Sequence, residues 1–146
     1  MNLKLQAGYF SIKSPLQLFD RWLNPFRHKD SIDIRGKKMN IFYSKRAETA
    51  LKNRNTPLIA ELQLYFTCVV QKRIIFHEHT DLETIFANPY LEIAYHTVQS
   101  NACDPVEFAA SHPVKNELNS KGAKNMRPSF LQIDFINNQW IGEFGF

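Results

Sequence analysis

The sequence predicts an α+β fold: a single domain over residues 1–146, with a mainly antiparallel, twisted sheet of about five to seven strands and roughly two to four short helices at its face or ends. Three observations predict it. Apolar and polar residues alternate over several stretches, the longest at residues 61–79. Helix-start signals recur between those stretches, as in Ser14-Pro15-Leu16-Gln17. The chain closes on two alternating runs around Asn137-Asn138, the pattern of a β-hairpin. A length of 146 residues suits one core without staples.

The elements follow in order. Residues 3–13 read as a strand, with a bend at Gly8. Residues 14–25 read as a helix capped by Ser14, with Leu16, Phe19 and Leu23 on one stripe and Trp22 beside it. Asn24-Pro25 ends it. Residues 31–44 form two strands about a Gly36 turn, and 45–55 a short helix capped by Ser44. In 61–79 the even positions run Leu62, Leu64, Phe66, Cys68, Val70, whereas the odd ones are mostly polar. Such a run exceeds ordinary strand length, so a bend at Gln71-Lys72-Arg73 is expected, with a hairpin there as the alternative.

Thr80 and Glu83 read as a capping box for a helix over 80–87, ended by Asn88-Pro89. Residues 90–100 alternate as a strand. Asp104-Pro105 opens another helix over 104–111, residues 114–120 add a turn or two, and 121–128 is a basic loop. In the C-terminal hairpin, a two-residue turn pairs Phe135 with Trp140, Ile133 with Gly142 and Leu131 with Phe144.

Composition narrows the function classes. Hydrophobic residues make up 44% and aromatic residues 13%, which argues against a disordered chain. Mean hydropathy is −0.35, and no apolar run approaches the roughly 18 residues of a membrane span, so no membrane partner is expected. The N-terminal residues lack a continuous apolar stretch, so no secretory leader is expected. The two cysteines, Cys68 and Cys103, form no pair motif, and a soluble cytoplasmic protein with reduced thiols is the expectation. The five glycines make no phosphate-binding loop, dinucleotide fingerprint or nucleophile elbow.

Charge is uneven. Residues 21–54 carry ten Lys/Arg against three Asp/Glu, within a chain of net charge +4. That basic segment, with Arg27, Lys29, Arg35, Lys37, Lys38, Lys45 and Arg46 beside Phe26, Phe42 and Tyr43, is the candidate surface for nucleic acid or another polyanion. The other candidate chemistry is histidine. On a strand, His77 and His79 project to one side with about 6.5–7 Å between their backbones, a spacing that chelates one metal ion if a third ligand arrives. His96 is the candidate third ligand, with Asp81 and Glu83 as local carboxylates. A divalent transition metal is therefore the one cofactor this reading admits, and none is required by the rest of the chain. The expected function is a non-enzymatic interaction domain for a protein partner. Nucleic-acid binding through residues 21–54 is the alternative, and a small metal-dependent or ligand-pocket enzyme using His77 and His79 is third.

Overall fold

The computed structural model describes residues 15–66, 70–99, 116–117 and 121–146. The elements are helix α1 (Pro15–Leu23), strands β1 (Arg27–Ile34) and β2 (Lys37–Tyr43), helix α2 (Lys45–Lys52), strands β3 (Leu58–Phe66), β4 (Val70–His77), β5 (Ile85–Asn88), β6 (Leu91–Gln99) and β7 (Asn116–Glu117), the short helix α3 (Lys121–Asn125), and strands β8 (Phe130–Ile136) and β9 (Gln139–Gly145). The fold is α+β, but the strands form two sheets where the sequence predicts one. The first runs β1-β2-β8-β9; the second runs β4-β3-β6-β5, with β7 also on β6.

Pairing remains mainly antiparallel, with five antiparallel and two parallel pairs among the described strands. The parallel pairs, β2 with β8 and β3 with β6, account for the departure from one sheet. They join strands far apart in the chain, so no local pattern reports them.

One core is shared by both sheets. Ile32, Met39, Ile41, Leu131, Ile133 and Phe144 of the first sheet pack with Leu58, Ala60, Leu62, Leu91 and Ile93 of the second. Burying this apolar surface is the main favourable term in folding. Helix α2 adds Ala47 and Leu51 to the same cluster. Its cap is Ser44, whose side chain accepts from the Ala47 N–H at 3.1 Å.

The C-terminal hairpin has the register expected from the sequence: Phe135↔Trp140, Ile133↔Gly142 and Leu131↔Phe144. Asn137 and Asn138 hold φ of 52° and 61°, the left-handed turn that short polar side chains tolerate.

Four local expectations are corrected. The long run at 61–79 is not one bent strand: β3 ends at Phe66, β4 begins at Val70, the two pair antiparallel, and residues 71–73 lie within β4. The register pairs Leu62 with Ile74 and Ala60 with Phe76, so even positions share a face on both strands. The helix expected at 80–87 is absent. Residues 85–88 form β5, and the Thr80 hydroxyl accepts from Leu82 N–H in a local turn, a bond that competes with helix. Pairing with β6 then extends a segment that contains Ile85 and Phe86, both good strand formers. At 114–120, Asn116 and Glu117 pair with β6 instead of turning, and part of the loop at 121–128 is helical. The strand at 3–13, the Ser14 cap, the helix at 104–111, Cys68 and Cys103 lie outside the described residues.

Candidate functional site

The central strand of the second sheet carries a buried acid. Glu61 is only 6% exposed, on the face of β3 opposite the shared core, beside Ile59, Gln63 and Tyr65. β4 and β6 flank it, and each supplies a histidine. His77 pairs with Ile59 and His96 with Gln63, so the two rings approach Glu61 diagonally from opposite strands and opposite ends. His77 Nε2 lies 2.6 Å from Oε1 and His96 Nε2 lies 2.6 Å from Oε2. The Gln63 side-chain amide also donates to Oε2.

This geometry fixes the proton positions. Burial opposes ionisation of Glu61, but the hydrogen bonds from His96, Gln63 and His77 outweigh it and bring the carboxyl down to about 2. An ionised carboxylate only accepts, so both Nε2 atoms carry hydrogen. In a neutral ring, Nδ1 is then the accepting position. The site can therefore orient two imidazoles and hold two protons at Nε2.

Of the three candidate metal ligands, the structure joins His77 and His96 through Glu61. It leaves His79 exposed beyond the end of β4, and Glu61 has no bond to it. The adjacent Glu78 is tied to Arg54. Among the described residues, no group of three or more His, Cys, Asp or Glu side chains is placed to hold a metal ion. Glu61 is the residue that sequence reasoning missed. It lay on the polar face of the alternation, and only the β3–β6 crossover makes that strand central.

His96 also faces a cavity of about 270 Å³, shared with Arg35, Leu82, Glu83 and Tyr95. Arg35 occupies the first position of the β1–β2 turn, with φ of 52° followed by Gly36 at 88°. A left-handed backbone costs a non-glycine residue about 1–2 kcal/mol. Arg127 Nη1 braces the turn by donating to the Arg35 carbonyl at 2.8 Å. The Arg35 guanidinium carbon stands 5.6 Å from the Tyr95 ring centre. The Tyr95 hydroxyl donates to the Met126 carbonyl at 2.6 Å, and burial pushes it up to about 12.

The remaining basic candidates are dispersed. Arg27, Lys38 and Lys45 are exposed. Lys29 lies 3.7 Å from Glu48, and Lys37 donates to the Arg127 carbonyl at 3.0 Å. Arg46 is engaged in ion pairs with Asp20 and Asp134. The aromatics of this segment are also occupied. Tyr43 is buried and donates to Asp30 at 2.9 Å, Phe42 is half-buried, and Phe26 lies beneath Arg21.

Helix α1 is inverted relative to an ordinary surface helix. Its charged residues turn inward: Asp20 accepts twice from Arg46, and Arg21 Nη2 donates to Asp134 at 2.8 Å. Asp134, 2% exposed, also accepts from Arg46 and from Ser44 Oγ. Burial opposes its ionisation, but Arg46, Ser44, the Phe135 N–H and Arg21 together hold it well below the usual carboxylate range. The apolar side faces out, with Leu16 80% and Trp22 75% exposed, alongside Leu18, Phe19 and Leu23. Among the described residues, no helix is long and apolar enough to cross a membrane.

No family model, curated protein or solved structure matches this chain.

Proposed function

We propose that the protein is an interaction domain that binds a protein partner through the outward face of α1. The inverted helix carries this reading. An ordinary surface helix buries its apolar stripe and exposes its charges. Here an ion-pair seam to Arg46 and Asp134 fixes the polar side, which presents Leu16, Leu18, Phe19, Trp22 and Leu23 together. Exposed apolar clusters of this kind mark association sites, and tryptophan is a preferred anchor. Arg27, four residues after α1, is exposed and in no ion pair among the described residues, so the partner expected is a protein with an apolar groove and an acidic group at its rim.

A photo-crosslinking residue at position 22 identifies such a partner, whose affinity is then measured with both proteins purified. Trp22→Glu is expected to weaken binding more than about tenfold, while stability stays within about 0.5 kcal/mol because the side chain is exposed. An unchanged affinity overturns the proposal. So does a crosslink only to a second copy of the chain, to RNA, or to anionic vesicles.

A further inference from the structure

The cavity beside His96 is a separate feature and does not depend on the role of α1. It lies beside β6, next to the end of β5. β5 last pairs with β6 at Ile85↔Ile93, and β7 first pairs at Val98↔Glu117. The tip of the β1–β2 hairpin reaches the cavity, bringing Ile34 and Arg35.

The lining combines opposite charges with apolar walls. Arg35 supplies a cation, Glu83 an anion, and Leu82 and Ile85 apolar surface. Among the described residues, neither charge takes part in an ion pair, with the other or with a third group. The turn does not explain arginine at position 35, because asparagine or glycine adopts that backbone at lower cost. Its guanidinium is instead held near the Tyr95 ring, and that ring is fixed by the bond to Met126.

We infer that this cavity binds a small zwitterion with an apolar body, of which an apolar α-amino acid is the simplest. Its carboxylate meets Arg35, its ammonium meets Glu83, and its side chain lies on Leu82 and Ile85. Guanidinium matches carboxylate through paired N–H donors, whereas a lone cation or lone anion would leave one of the two protein charges unanswered. His96, oriented by Glu61, borders the bound molecule.

Calorimetric titration of the full chain tests this with phenylalanine and leucine. Hydrocinnamate, which lacks the amine, and phenethylamine, which lacks the carboxylate, serve as comparators. The amino acids are expected to bind, and each comparator to bind at least about tenfold more weakly. Arg35→Asn is expected to abolish binding while leaving the thermal midpoint unchanged or higher, since asparagine suits the turn. Glu83→Gln is expected to remove the preference for phenylalanine over hydrocinnamate. The inference is overturned if the folded protein binds neither amino acid at millimolar concentration. It is equally overturned if hydrocinnamate binds as tightly as phenylalanine, or if Arg35→Asn binds as the wild type does.

Discussion

At Glu61, three donors converge on one carboxylate that the sheet has removed from water. Its low value near 2, against an ordinary 4.5, links the group to stability. The folded value is depressed, so its contribution is complete above 4.5 and disappears as pH falls from 4.5 towards 2. Its size is on the order of 2–3 kcal/mol. Glu61→Gln is therefore expected to lose about that much at pH 7, and the gap from wild type to close in acid. Urea unfolding at pH 7, 4 and 3 measures both, and parallel pH profiles would refute the assignment. The histidines of this cluster were legible in the sequence, but their partner was not. His77 and His79 look like a pair because strand alternation puts them on one side. The chain leaves β4 at Glu78, so His79 drops out and His96 takes the second place through a crossover that no local spacing encodes.

At the level of elements, ion pairs tie α1 to the start of α2 and to β8. Asp134 gathers Arg21, Arg46 and Ser44, linking α1, the start of α2 and strand β8. Removing one member of a buried ion pair costs more than the pair contributes, because the partners are left uncompensated. Asp134→Asn is expected to cost about 3 kcal/mol, the lower end of that range, since Arg46 keeps Asp20 and both arginines retain some water. It should also release α1, seen as faster proteolysis within residues 15–23 at conditions where the core remains folded. Unchanged cleavage would show that something other than this seam holds the helix. The sequence showed that α1 exists and which residues form its stripe, since periodicity and caps are local. It could not show that the stripe faces outward, because that depends on an aspartate more than a hundred positions away. The same limit explains β5, where Thr80 and Glu83 carry a valid cap pattern but pairing with β6 decides the conformation.

At the scale of the whole molecule, the two sheets meet closely where β9 crosses β4. Gly142 marks the spot: a Cβ there would lie 3.0 Å from Ile74 Cδ1, 3.1 Å from Phe76 Cζ and 3.3 Å from the Gln132 carbonyl oxygen. Phe76 and Trp140 continue the contact with ring centres 6.2 Å apart, and Lys72 Nζ ties β4 to the Phe144 carbonyl at 2.8 Å. The hairpin register from sequence places residue 142 opposite Ile133 but says nothing of a second sheet above it. Two effects compete on substitution. A β-branched residue favours the strand by up to about 1 kcal/mol, whereas extra methyl groups in a filled core cost about 1–3 kcal/mol. For alanine, the two approaches to side-chain ends can relax by a few tenths of an ångström, so Gly142→Ala is expected to be nearly neutral. For valine, two further carbons must enter between Ile74, Phe76 and a backbone oxygen that cannot yield. Gly142→Val is therefore expected to destabilise by about 2 kcal/mol, with Ile74→Ala recovering part of the loss in the double variant because it opens the space valine needs. Equilibrium unfolding of the four proteins gives the coupling directly. A valine variant as stable as wild type, or a double variant whose losses simply add, would mean that β4 and β9 do not pack in this way.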